Sequence, residues 1–161
     1  MTPFTMLAGI ACPLGLANVD TDQLIPARFM SRPRGDGYGA VLLHDLRVAP
    51  DGTSLGFILD DPRHAGAQIL VARRNFGTGS SREAAVYALV DYGIRCVIAP
   101  SFGDIFASNA VKNGLLPAQV SEKTADMLLD RLAASTPPIL TVDLTTTTIG
   151  AGDVSLPFAV D

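Results

Sequence analysis

Apolar residues fall into two textures along this chain. Between residues 69 and 134, short β-branched runs alternate with longer stretches of helical spacing, and after a proline pair the pattern becomes threonine-rich. The run "ILVA" (69–72) stands before a glycine-rich turn and predicts a buried strand. Arg82 to Asp91 predicts a helix terminated by Gly93, and "CVIAP" (96–100) a second strand stopped by proline. Gly103 to Lys112 predicts a further helix closed by Asn113-Gly114, with "LLPAQV" (115–120) as a third strand. Ser121 to Ala134 sets Ala125, Leu128, Leu129 and Leu132 on one face and predicts an amphipathic helix. Strand, helix and strand in this order imply a parallel crossover, whereas "ILTVDLTTTTIGAGDVSLPFAV" after Pro137-Pro138 favours antiparallel strands.

The first third has little periodicity. The run "RFMSRPRGDGYG" (28–39) reads as an exposed loop of the kind that carries function or mobility. No internal repeat or dividing linker interrupts the 161 residues, so one domain spanning 1–161 is expected.

Composition narrows the function classes. With 48% hydrophobic and 17% charged residues the chain is an ordinary globular protein. A net charge of −4 without a basic block argues against nucleic acid as a partner. The N-terminus lacks the basic opening of a signal peptide and no apolar run reaches membrane-span length, so no membrane and a cytoplasmic, reducing location are expected. Cys12 and Cys96, far apart, read as buried free thiols, and with His44 and His64 they form no metal-ligand spacing.

The stretch "NFGTGSSREAA" (75–85) admits three readings. Ser80 and Glu83 have the S-x-x-E spacing of a capping box. Free amides at a helix start could bind an anion or carboxylate. Catalysis by Ser80 is the third reading, and a helix N-terminus alone does not supply it. Its stabilisation of at most ~2 kcal/mol is worth roughly one and a half pKa units, and no histidine stands nearby in sequence to act as a base.

Three ordered stretches, "NVDTDQLIPARF" (18–29), "NFGTGSSRE" (75–83) and "VIAPSFGDIFASNAVKNGLLP" (97–117), closely resemble the small subunits of 3-isopropylmalate dehydratase, the leucine-pathway branch of the aconitase family. The resemblance implies an α/β fold: an aconitase-type swivelling domain, layered β/β/α, with a largely parallel βαβ core and additional antiparallel strands. It also implies a two-chain hydro-lyase in which a large partner subunit carries a 4Fe-4S cluster, none being bound by this chain. The reaction implied is interconversion of 2-isopropylmalate and 3-isopropylmalate, with methylmalate or homoaconitate types as related 2-hydroxy diacid alternatives. A non-catalytic carboxylate- or phosphate-binding module is the alternative of another class.

Carried over by motif, Ser80 is implied to be the catalytic base, Ser81 to position substrate, and Arg82 to pair with a carboxylate in bidentate fashion. Asp22, the second aspartate of NVDTD, corresponds to a family active-site residue. The loop after "IPARF" is implied to recognise what distinguishes one substrate from another. Arg34 is favoured there for a carboxylate, with Arg32 and Arg28 as rivals, and Phe29 and Met30 either meet an aliphatic substituent or anchor the loop. That loop, from Arg28 to Tyr38, is expected to be mobile in the free chain, with little apolar anchoring beyond Phe29 and Met30, and to be ordered on docking to the large subunit with substrate, which brings Arg34 toward a carboxylate. Ala84 stands where the family usually has histidine.

Overall fold

A computed structural model describes residues 4–160. Four parallel strands form one half of a seven-stranded sheet: β1 (Met6–Pro13), β2 (Ile69–Val71), β3 (Cys96–Ala99) and β4 (Leu116–Gln119). The other half is antiparallel, built from β5 (Ile139–Asp143), β6 (Thr148–Ala151) and β7 (Val154–Pro157). The order is β4-β3-β2-β1-β5-β6-β7, so β1 is the seam between the two textures.

Two-residue alternation sorts the buried side chains of the parallel strands onto two faces. Cys12, Leu70, Ala72, Val97 and Ala99 join one core. On that side lie α3 (Ala84–Tyr92) and α4 (Asp104–Lys112), which contribute Val86, Leu89 and Phe106. Ala11, Ile69, Val71, Cys96 and Ile98 face the other core, where α5 (Glu122–Ala134) buries Ala125, Leu128, Leu129 and Leu132. Each of those leucines contributes about 1.5–3 kcal/mol of transfer free energy. Ser121 caps α5 by accepting from the Thr124 amide, and Gly93, at φ +117°, ends α3.

One expectation is refined and another corrected. The segment read as an exposed loop is exposed at Arg28, Ser31 and residues 33–36, and it runs through short 3-10 turns, at Ala27–Phe29, Arg34–Asp36 and Tyr38–Val41, followed by α2 (His44–Arg47). Tyr38, Val41, Leu42 and Leu43 are buried there, and the Tyr38 hydroxyl donates to the Arg32 carbonyl at 3.0 Å. Tyr38 is thus an anchor of this loop beyond the Phe29 and Met30 named from sequence. The capping box expected at the start of α3 is absent, because the residue preceding the helix is Glu83, itself in helical conformation, and no side chain caps it. Glu83 turns along the helix to accept from the Tyr87 hydroxyl, and Ser80 turns away toward Thr21. The box forms instead at α1 (Thr21–Leu24), where Asp20 accepts from the Gln23 amide and Gln23 reaches back to the Asp20 amide.

Candidate active site at the carboxyl ends of the parallel strands

Parallel strands present all their carboxyl ends at one edge, where open α/β sheets bind ligands. The loops leaving β1, β2 and β3 hold the three stretches singled out in the sequence, and because these strands are neighbours, the loops meet. Asn75 joins all three: its side-chain amide donates to Asn18 Oδ1 at 2.8 Å, and its backbone N–H donates to Ser101 Oγ at 2.8 Å. Backbone bonds run alongside, from Gly77 to the Val19 carbonyl, from Thr21 to the Thr78 carbonyl and from Gly103 to the Phe76 carbonyl. Below them Phe76 is fully buried, edge-on to Phe102 and Phe106 with centroids 6.3 and 5.4 Å away. The motifs named these stretches, but the knitting residues Asn18, Asn75 and Ser101 were not assigned from sequence.

Ser80, Arg82 and Asp22 come together here. Ser80 Oγ lies 3.3 Å from Thr21 Oγ1, and Arg82 Nη1 makes a close ion pair with Asp22. The same Nη1 reaches the Ile25 carbonyl at 3.4 Å. Arg82 keeps only 20% of its side-chain surface exposed against 69% for Asp22, so the carboxylate faces solvent while the guanidinium is tucked under it. Ser80 and Ser81 are exposed, and among the described residues the amides of 80–83 donate to no backbone carbonyl. These free donors at the start of α3 suit an anion. Ala84 opens the helix and packs against the core.

The other loop residues lie apart from this cluster. Arg34 is bound to α3 near its C-terminal end, bidentate to Asp91 at 3.1 and 2.9 Å and stacked 3.9 Å over Tyr87. The hydrogen bonds to Asp91 foremost raise its pKa further above the ordinary arginine value. Arg28 is bidentate to Asp45 at 2.9 and 2.5 Å. Arg32 sits 5.3 Å from the Phe29 ring centre, with no carboxylate paired to it among the described residues. Phe29 packs against His44, with ring centres 4.7 Å apart, and Met30 is half-buried beside the core. Clefts of about 570 Å³, along α4 from Ser101 to Gln119, and about 710 Å³, beside Arg28 and His44, flank this edge. Ser80 lines neither, so in the free chain the cluster is open to solvent.

The donor set does not fit an iron–sulfur cluster. Cys12 and Cys96 lie on β1 and β3 with β2 between them, and they point to opposite faces of the sheet. Burial, reinforced by Asp61 and Asp60, pushes the Cys12 thiol up to about 12, and burial also pushes Cys96 up. Among the described residues no group of three or more His, Cys, Asp or Glu could hold a metal ion.

The sequence model of the aconitase C-terminal domain matches residues 1–123, which span all four parallel strands and the three converging loops. This chain belongs to the aconitase C-terminal domain family. Among relatives, a Shewanella sp. (strain ANA-3) protein named 3-isopropylmalate dehydratase small subunit is 48% identical over 149 residues, covering 91% of this chain and 74% of its own length. The Brevibacillus brevis protein of the same name is 45% identical over 163 residues, covering 100% and 84%. A crystal structure of 3-isopropylmalate dehydratase from Methanocaldococcus jannaschii superimposes with a TM-score of 0.70 at 27% identity, covering 97% of this chain and 83% of that one. The aconitase-type fold expected from sequence is the fold observed. As in that expectation, a parallel βαβ core carries additional antiparallel strands. No helix among the described residues is long and apolar enough to cross a membrane.

Proposed function

We propose that this chain is the small subunit of a two-chain hydro-lyase that interconverts 2-isopropylmalate and 3-isopropylmalate by removing and re-adding water. The observation that carries the reading is the contact of Ser80 with Thr21, next in the chain to the Asp22 that pairs with Arg82, at the carboxyl edge of the parallel strands, in a chain similar along most of its length to 3-isopropylmalate dehydratase small subunits.

In this reading Ser80 Oγ takes the proton from the substrate carbon and returns it on rehydration. Arg82 meets Asp22 and the Ile25 carbonyl through Nη1, so its Nε–Nη2 edge is the one assigned to a substrate carboxylate in bidentate geometry. Asp22 holds the guanidinium in place, and Ser81 with the free amides of 80–83 receives further carboxylate oxygens. A serine needs more help than a helix terminus gives. The remainder comes from Arg82 acting in a site dried by closure, where its charge is felt more strongly than in water. The partner is a large subunit bearing the 4Fe-4S cluster, for which this chain's thiols are unsuited. The substrate-recognition loop supplies Arg34, which has to exchange Asp91 for a second carboxylate, or Arg32, which has no such exchange to make.

The test is reconstitution with the large subunit and assay on a panel of 2-hydroxy diacids. Isopropylmalate is expected to be preferred, and Ser80→Ala is expected to lower turnover by on the order of 100-fold or more. A wide preference for a methylmalate- or homoaconitate-type diacid overturns the substrate assignment. A Ser80→Ala complex with near-full turnover overturns the base assignment.

A further inference from the structure

Thr21 is a polar side chain buried at 3% exposure. Its backbone is fully used: the N–H donates to the Thr78 carbonyl at 2.9 Å and the carbonyl accepts from Ile25 at 3.1 Å. The hydroxyl remains, and the hydrogen bond it makes is to Ser80 Oγ at 3.3 Å. Either hydroxyl could donate, and burial favours Thr21: Ser80 is exposed and can turn its own proton outward, whereas Thr21 is nearly withdrawn from solvent, and a buried hydroxyl without an acceptor is costly. Gly79 makes room for the contact. It holds φ +101°, and a Cβ there would stand 3.2 Å from Thr21 Oγ1.

We infer that Thr21 is a positioning residue for the dehydration, its hydroxyl donating to Ser80 Oγ to fix the serine rotamer and support the negative charge that this oxygen carries as base. The inference rests on the reading of Ser80 as base and adds to it. An exposed serine has three staggered wells available. Thr21 is β-branched and stiff at χ1, so its hydroxyl selects one of them from a fixed platform. The present distance is long for O–H···O, as suits two neutral hydroxyls in a free enzyme. Hydrogen bonds to an ionised acceptor are shorter and about twice as strong, so the contact tightens when Ser80 Oγ becomes charged. A donor whose bond strengthens in that state raises kcat and leaves substrate binding nearly untouched.

The experiment uses the two-subunit enzyme. Thr21→Val keeps the shape and removes the donor, and it is expected to lower kcat by on the order of 10- to 100-fold while KM stays within about threefold of wild type. Thr21→Ser, which restores the hydroxyl, is expected to recover most of kcat. A structural role for Thr21 predicts instead weaker assembly or a lower melting temperature, with unchanged kcat per assembled complex. Should Thr21→Val fail to assemble, Thr21→Cys, a weak S–H donor of small size, carries the same expectation measured against Thr21→Ser. Thr21→Val turnover within about twofold of wild type, in an enzyme that Ser80→Ala inactivates, overturns the inference and leaves the base assignment standing. Near-full activity in Ser80→Ala removes both.

Discussion

Asp45 is held at about 2, well below its ordinary 3.8, first by the hydrogen bonds from Arg28 and then by His44. A carboxyl lowered in the folded state stabilises the fold at pH values above its unfolded value and ceases to as pH falls through its folded value. The contribution of Asp45 is therefore complete above roughly pH 4 and fades toward pH 2. The pair is about half exposed, so solvent screens it and its contribution is small. Denaturation midpoints of wild type and Asp45→Asn are expected to differ slightly at neutral pH and to converge between about pH 4 and pH 2. A gap that persists at pH 2 would show that the carboxylate's charge is not the cause. Reading single residues from sequence succeeds or fails here by competition for partners. Ser80 and Glu83 have capping-box spacing, yet Tyr87 and Thr21 offer their side chains partners outside the backbone. Asp20 and Gln23 have the equivalent D-x-x-Q spacing with no such competitor, and the box forms there. That signal was present in "VDTDQ" and could have been read.

Among elements, the regular strands and helices between residues 69 and 134 were legible because each is a short apolar run or a stretch of helical spacing with a punctuating Gly, Pro or Ser nearby. Strand β1 was not. "MLAGIACP" is rich in small residues, and its pairing with β2 on one side and β5 on the other leaves no alternating face to read. The turns from Ala27 to Val41 are too short to show a period, and their order comes from tertiary anchors, Tyr38 among them. Those anchors set the terms for the loop arginines. If Arg34 serves a substrate carboxylate, its bonds to Asp91 and its stacking on Tyr87 must be given up first. Asp91→Asn is then expected to lower KM a few-fold, and Arg34→Ala to raise it by on the order of 10- to 100-fold, the range of a lost charge-assisted pair. Should KM rise in Arg32→Ala and stay unchanged in Arg34→Ala, the carboxylate belongs to the arginine with no competing carboxylate.

For the molecule as a whole, the motifs named the ingredients of the site, but their meeting point depended on strand order. Residues 18–22, 75–83 and 101–103 converge because β1, β2 and β3 are adjacent and parallel, and the neighbouring position of β1 was the step that the sequence concealed. Convergence still leaves an unfinished site. Ser80 and Ser81 are exposed, Ser80 lines neither flanking cleft, and Cys12 and Cys96 lie on opposite faces of the sheet. A base in open water meets neither the dry surroundings nor the fixed substrate on which its rate depends. The isolated chain is therefore expected to show no dehydratase activity at any concentration, with activity appearing on titration with the cluster-loaded large subunit and saturating at a fixed ratio. Hydrogen exchange provides a readout independent of turnover: the amides of residues 80–83, open in the free chain, should exchange fast alone and slow in the substrate-loaded complex. Turnover by the chain alone, or equally slow exchange in both states, would mean that the site is complete without its partner.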